Sequence, residues 1–289
     1  MKGKQQKQQQ SSNINTLYII SKGRPDCITA STLCSIGYKG EWFIVCGDND
    51  ETIPSYIEKW GEDRILVFDW KKETESIDFL DNFGCDNMPS GCCPARNAVR
   101  KFSKARGEKR HWMFDDDYNC FYWYNIYTKK WIKMTGEFMY NKLLMLAQLA
   151  DEACLFNIGI ALAADAHPSS VLKLGRRVFN MHNLSNEDGM FTPWRSRMNE
   201  DLINAIETFK RGKNEYFVKS YMVTMAPTQK LSGGMTDIYL NEGTIRKSAY
   251  AILYDPHNVK LVIKHGRYHH AVNWRNVVPK LLNERYASV

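Results

Sequence analysis

Three consecutive aspartates, Asp115, Asp116 and Asp117, follow the apolar run His111-Trp-Met-Phe114 and are the residues best placed by type to do chemistry. In an extended chain side chains alternate, so Asp115 and Asp117 should aim in a similar direction and Asp116 oppositely. Two carboxylates converging at a strand end repel unless a cation relieves them. A hard divalent ion with oxygen ligands does this and would also bridge a diphosphate. The competing reading is a solvated acidic turn. A second acidic pair, Glu200 and Asp201, sits in Arg197-Met-Asn-Glu-Asp-Leu at the first turn of an expected helix. The helix dipole alone favours acids there. The functional alternative is a general base that deprotonates an acceptor hydroxyl. Adjacent helical residues are rotated by about 100°, so only one of the two should point into a site.

Cationic and polar candidates surround these acids. Arg96 and Asn97 lie in Pro94-Ala-Arg-Asn97, where a helix N-terminus and a guanidinium suit a phosphate or sugar oxygen. The run Arg100, Lys101, Lys104, Arg106, Lys109, Arg110 continues from them, either as a solvated helix face or as a nucleic-acid contact. Ser232-Gly233-Gly234-Met235 offers backbone N–H groups that a sugar or phosphate could approach closely; otherwise it is a plain turn. Trp194 and Arg195 could stack on a base taken out of a duplex, the alternative being a tryptophan buried in the core.

The elements that must position these residues follow from the hydrophobic pattern. Apolar runs at Thr16–Ser21, Trp42–Cys46, Arg64–Phe68 and His111–Phe114 read as buried strands, separated by segments long enough for helices. Such alternation indicates a parallel sheet covered on both faces. Helices are expected from Pro25 toward Cys34, over Pro94–Arg106, Glu137–Ala150 and Asn199–Arg211, and near Val277–Asn283. Further strands are expected at Cys154–Leu162, Arg177–Asn180, Tyr216–Met225, Ala249–Tyr254 and Val259–Ile263, making the sheet mixed. In parallel α/β sheets ligands bind at the carboxyl ends of strands. The loops there, Lys22-Gly-Arg-Pro25, Gly47-Asp-Asn49, Asp69 and the acidic triplet, hold the most polar residues of the first half.

Composition bounds the function. With 289 residues, 44% apolar and 25% charged, the chain is a packed globular protein and not a disordered one. No apolar run approaches the ~20 residues of a membrane helix. Met1–Asn13 is a Lys- and Gln-rich tail, expected to be disordered, without the apolar core of a secretory signal. The net charge is +7, of which Lys2, Lys4 and Lys7 in that tail carry three, so a polyanionic partner is allowed but not required. Residues Glu242–Val289 carry eight Lys/Arg against three Asp/Glu, a second basic surface that includes Arg267. The eight cysteines are scattered with no C-x-x-C pair, which favours reduced thiols in a cytoplasm over disulfides or a zinc ribbon.

Taken in order, Ile20-Ser21-Lys22-Gly23-Arg24-Pro25, Asp48, Ala95-Arg96-Asn97, Phe114-Asp115-Asp116-Asp117, the Glu200-Asp201 pair and Leu231-Ser232-Gly233-Gly234-Met235 resemble a GT-A glycosyltransferase. More narrowly, they resemble the phage-encoded glycosyltransferases associated with TET/JBP oxygenases, which are predicted to glycosylate hydroxymethylated pyrimidines in DNA. The resemblance runs from Leu17 to about Arg267. It implies a GT-A-like (Rossmann-like) α/β fold: a mixed, mainly parallel central sheet flanked by helices, with an elaborated C-terminal part. That fold would be one domain over 14–289, with a nucleotide-sugar half to about 135 and an acceptor half beyond. It implies Asp115 and Asp117 as ligands of Mn²⁺ or Mg²⁺, with His265 a further candidate beside its rivals His269 and His270. It implies a UDP-sugar donor held by Ser21, Gly23, Arg24, Asp48, Arg96, Asn97, Asp116, Gly233 and Gly234. Asp201, or Glu200, would activate the hydroxyl of a 5-hydroxymethylpyrimidine, most simply 5-hydroxymethylcytosine, for inverting attack. Lys101, Lys104, Trp194, Arg195 and Arg267 would contact DNA. A protein or glycan acceptor, or an inactive sugar-nucleotide or DNA-binding module, are the alternatives. The implied place of action is the cytoplasm of a phage host.

Overall fold

A computed structural model describes residues 15–81, 91–168, 172–174, 177–225, 236–264 and 266–278. The Lys- and Gln-rich tail, Gly233, Gly234, His265 and most of the expected helix at Val277–Asn283 lie outside them. The chain forms β1 (Leu17–Ile20), α1 (Ile28–Ser35), β2 (Trp42–Gly47), α2 (Ile53–Trp60), β3 (Ile65–Phe68), α3 (Trp70–Glu75), α4 (Cys93–Ala105), β4 (Arg110–Asp115), β5 (Tyr118–Asn125) and β6 (Lys130–Lys133). It continues with α5 (Gly136–Glu152), β7 (Asn157–Leu162), β8 (Leu172–Leu174), β9 (Asn180–Ser185), α6 (Glu200–Lys210), β10 (Glu215–Met225), α7 (Thr236–Tyr254), β11 (Val259–Lys264), β12 (Arg267–Val272) and α8 (Trp274–Val277).

Ten of the described strands make one sheet, in the order β3-β2-β1-β4-β9-β7-β10-β5-β6, with β8 also paired to β10. The β3-β2-β1-β4 half is parallel. Antiparallel β9 then joins β4 to β7, and the antiparallel β5–β6 hairpin closes the far edge. This is the mixed α/β sheet of a GT-A-like fold. The unbroken hydrophobicity of β1 follows from burial on both faces. Leu17 and Ile19 join Trp112, Phe114, Phe121, Leu143 and Leu146 on one side. Tyr18 and Ile20 join Val45, Val99, Met113, Leu184 and Trp194 on the other. A third cluster packs α6 against α7, β11 and α8.

Some expectations from pattern are corrected. The strand expected at Arg177–Asn180 begins where that segment ends: β9 is Asn-Met-His-Asn-Leu-Ser, polar in sequence yet fully buried. Its side chains are bonded internally in part: Asn183 accepts from Arg110 Nε at 2.8 Å and His182 Nδ1 bonds the Asn157 amide at 3.0 Å, while Asn183 Nδ2 and His182 Nε2 are buried without a hydrogen-bond partner. The strand expected at Ala249–Tyr254 is the last turn and a half of α7, where burial at Ser248, Ala251 and Asp255 follows helical spacing. The aromatic segment after the acidic triplet and the His-rich β12 form strands that the pattern did not assign.

Gly136 opens α5 against the turn that ends α1. Its N–H donates to the Ile36 carbonyl at 2.8 Å, and a Cβ there would lie 2.1 Å from the Gly37 carbonyl oxygen. Backbone cannot yield as a flexible side chain does, so Gly136→Ala is expected to cost at least about 1–3 kcal/mol, read as a lowered Tm. An unchanged Tm would show that α5 and α1 separate freely.

Candidate active site

The site is built at the carboxyl ends of β1, β2 and β4, which the parallel register brings to one edge. Directly after β1, Ser21 donates its hydroxyl to Asp116 at 2.6 Å and shares a hydrogen bond with the Tyr56 hydroxyl at 2.7 Å. Arg24 pairs through Nη1 with Asp116 at 2.8 Å, and its N–H donates to Tyr56 at 2.9 Å. Gly23, at φ 67°, donates its N–H to the buried carboxylate of Asp50 at 2.7 Å. Asp50 also accepts from Thr52 and so locks the β2 exit. Asp48 stands exposed on that exit and accepts from the Trp70 N–H at 2.9 Å. Ser21, Arg24 and Asp116 are therefore brought together, whereas Asp50 and Tyr56, which shape the loop, were not singled out from sequence. Asp50's signal was its place in Gly47-Asp-Asn-Asp50; Tyr56 carried none.

The acidic triplet splits as strand alternation suggests. Asp116 faces the β1 loop. Asp115, the last residue of β4, faces α4: its Oδ1 lies 3.2 Å from Arg96 Nη2, and its Oδ2 accepts from the Tyr118 hydroxyl at 3.3 Å. Thr29 of α1 pins the backbone by donating its hydroxyl to the Asp115 carbonyl at 2.6 Å and accepting the Tyr118 N–H at 2.9 Å. Asp117 differs from both, since its Oδ1 is buried without a hydrogen-bond partner. Burial, reinforced by the charges of Asp115 and Asp116, pushes its carboxyl up to about 7. A buried carboxylate oxygen with no donor is the atom a cation would satisfy. Asp117 offers one such oxygen, whereas both Asp115 oxygens already have partners; among the described residues no group of three or more His, Cys, Asp or Glu is arranged to hold an ion.

Arg96 joins this strand end to α6. It is 4% exposed, lies 3.2 Å from Asp115 and 3.5 Å from Glu200, and its guanidinium sits 4.9 Å from the Trp194 ring centre. Burial opposes its charge, but Asp115 and Glu200 more than offset that and hold it ionised. Glu200 and Asp201 diverge as helix geometry requires. Glu200 turns to Arg96, and burial, with the adjacent Asp201 charge, raises its carboxyl. Asp201 is half-buried, yet Arg177 at 3.3 Å and the charge of Lys247 outweigh the loss of solvent and hold it below its ordinary value. Asn199, in left-handed backbone before α6, donates to the Lys247 carbonyl at 2.6 Å and bonds His270 Nδ1 at 3.4 Å. Residues from β12 and α7 therefore close around Asp201.

Several expected contacts take other roles. Asn97 makes two hydrogen bonds of 3.0 Å to the backbone of Trp194, so it fixes the loop before α6. Trp194 is 1% exposed, with its ring between Arg96 and His182. This corrects its expected stacking on a DNA base, since a ring so buried offers no face to stack on. Arg195 pairs with Glu207 at 3.1 Å. Lys101 pairs with Glu73, and Lys104 with Asp188 at 2.5 Å. Arg100 shares Asp188, while Arg106 is held by Glu41 and Glu108. The basic run of α4 is thus largely neutralised by its own surface. Arg267 is exposed at the start of β12.

Beneath Trp194 lies a buried polar chain: Glu215 accepts from the Val178 N–H at 3.2 Å and the Asn157 amide at 3.5 Å, and Asn157 bonds His182. Burial pushes Glu215 up to about 8 from 4.5. Its folded form keeps a proton that the unfolded chain releases. Its stabilisation is therefore complete below pH 4.5 and is lost as pH rises through 8. Glu215→Gln, which mimics the protonated acid, should be close to wild type at pH 4.5 and progressively more stable than wild type toward pH 8.5. Parallel Tm–pH curves for the two proteins would refute this.

The profile of the family described as TET-Associated Glycosyltransferase matches residues 15–234. Comparison with curated proteins returned no match. The matched span takes in Ser21 to Arg24, Arg96, the acidic triplet and Glu200–Asp201, and stops just before α7. With its α/β sheet and the carboxylates gathered at one strand edge, the chain belongs to the TET-associated glycosyltransferase family and is a glycosyltransferase.

Proposed function

We propose that this protein transfers a sugar from a UDP-sugar to the hydroxyl of a 5-hydroxymethylpyrimidine in DNA, with inversion and with a divalent metal. The observation that carries the reading is Arg96. It ties the strand-end carboxylate Asp115 to Glu200 at the start of α6, so a donor-side and an acceptor-side acid share one site. In this reading Ser21, Gly23, Arg24 and Asp116 form the donor loop, Asp48 meets the base or ribose, and Arg24 and Arg96 balance phosphate charge. Gly233, Gly234 and His265 lie outside the described residues and keep their expected roles as parts of the proposal. Asp115 and Asp117 would hold Mn²⁺ or Mg²⁺, which when bound supplies charge neutralisation to the leaving diphosphate.

The base we assign is Asp201. Glu200 is committed to Arg96 on the donor side, and burial raises its carboxyl. Asp201 is ionised and faces Arg177, Lys247 and His270, all from the half expected to take the acceptor. It accepts the hydroxymethyl proton as that oxygen attacks the anomeric carbon and UDP departs from the opposite face. A weakly basic carboxylate suffices because an oxocarbenium-like transition state forms before proton transfer is complete.

The test is UDP release with hydroxymethylated duplex, unmodified duplex and no DNA, each with Mn²⁺ and with chelator. Release confined to hydroxymethylated DNA plus metal is expected. Release indifferent to DNA modification would overturn the acceptor, and release unaffected by chelator would overturn the metal.

A further inference from the structure

Between Asp117 and Glu137 the chain holds three lysines, seven aromatic residues and no acid. This stretch is the β5–β6 hairpin. Phe121 and Trp123 of β5 pack inward, Trp123 on the Phe138 ring at 5.0 Å. Tyr122 and Tyr124 alternate to the opposite face and stand half-exposed, with Tyr124 against Trp131 at 5.3 Å. At the tip Ile126 is 65% and Tyr127 90% exposed, Tyr127 being the most exposed large hydrophobic side chain among the described residues. The turn is held by Asn125, whose Oδ1 accepts the N–H groups of Tyr127 and Thr128 at 2.9 and 3.1 Å, so the tip is presented and not loose. Lys129, Lys130 and Lys133 are exposed, and none is in an ion pair among the described residues. The contrast with α4 is direct, since Lys101 and Lys104 there already have carboxylate partners.

We propose that this hairpin is the surface on which duplex DNA docks, its lysines meeting phosphates and its tip aromatics lying against the groove edge; this rests on the DNA-acceptor reading. Uncompensated lysines interleaved with exposed aromatics on an acid-free ribbon complement a polyanion with apolar base edges. β5 leaves the acidic triplet directly and runs eight residues to the turn, about 27 Å at ~3.4 Å per residue. A duplex of roughly eight base pairs at ~3.4 Å each spans the same length, so one DNA molecule can occupy the hairpin and reach the catalytic edge.

The test compares wild type, Lys129→Gly/Lys130→Gln/Lys133→Gln and Tyr127→Ser. Lys129 sits at φ 53°, where glycine is at least as comfortable, so the triple variant should fold normally. Binding to an unmodified fluorescent 20-mer duplex is measured across salt, and transfer kinetics on hydroxymethylated duplex and on the free 5-hydroxymethyl nucleoside. We expect the triple variant to bind duplex at least about tenfold more weakly, with a slope of log K against log salt smaller by about 2–3, at ~0.9 per phosphate contact. Tyr127→Ser should weaken binding without changing the slope. KM on duplex should rise, with turnover on the nucleoside unchanged. Wild-type affinity and slope in the triple variant, or no duplex binding by wild type at low salt, would overturn the hairpin. If binding falls as expected but hydroxymethylated DNA accepts no sugar, the acceptor reading fails and the docking surface stands. If transfer to duplex keeps its wild-type KM in the triple variant, the reverse holds.

Discussion

Arg96→Ala is expected to unfold the site and much of the stability with it. The guanidinium is almost wholly buried, faces Asp115 and Glu200, and lies over Trp194. Its removal leaves two carboxylates confronting each other with their shared cation gone, besides a void beside a large ring. Breaking a buried pair from one side costs about 3–5 kcal/mol, which for a chain of this size lowers Tm on the order of 10 °C. Lysine should not restore it, because a point charge cannot meet two acids and a ring face as the planar guanidinium does. The informative variant is Arg96→Met/Glu200→Gln. Removing the arginine together with one of its two carboxylate partners should recover part of the lost Tm while transfer stays abolished, separating the arginine's structural work from its place in the reaction. A single Arg96→Ala variant that melts like wild type would mean that Asp115 and Glu200 are solvated and that the site is open.

The second large effect concerns the acid pair. Asp201→Asn should reduce transfer by about 10²–10⁴ while UDP-sugar binding and Tm stay near wild type, since the amide can still accept from Arg177. Glu200→Gln should lose far less activity but more stability, because it withdraws one of the two charges that compensate Arg96. The opposite ranking would move the base to Glu200 and make Asp201 the positioning residue for Arg177. Measuring both variants at saturating donor separates a chemical defect from weakened binding.

Much of this arrangement can be read in the chain because burial on two faces writes itself as continuous hydrophobicity. Leu17–Ile20, Trp42–Gly47 and Arg110–Asp115 are strands for that reason, and the polar residues just past their ends are the site. Glu200 and Asp201 were visible as acids at a helix start. What stayed hidden acts through specific partners. β9 is polar and buried, and partner-specific bonds such as Arg110–Asn183 and Asn157–His182 offset part of that cost. Asp50 and Tyr56 hold the Ser21–Arg24 loop, and Thr29 the backbone of the acidic triplet, by hydrogen bonds that have no sequence period. Trp194 could have met a base because nothing in the sequence shows that it is buried beside Arg96 and His182. The basic run of α4 looked like a DNA surface because Glu73 and Asp188, which neutralise it, lie 28 and 84 residues away in sequence from their lysine partners.

The most direct measurement is the mass of nucleosides digested from hydroxymethylated and from unmodified duplex after incubation with the protein, Mn²⁺ and a panel of UDP-sugars. A hydroxymethylpyrimidine nucleoside heavier by one glycosyl residue, from one donor and only in the modified duplex, is the expected result. Unaltered nucleosides in both duplexes, while the same protein glycosylates a protein or glycan acceptor with those donors, would contradict DNA as its substrate.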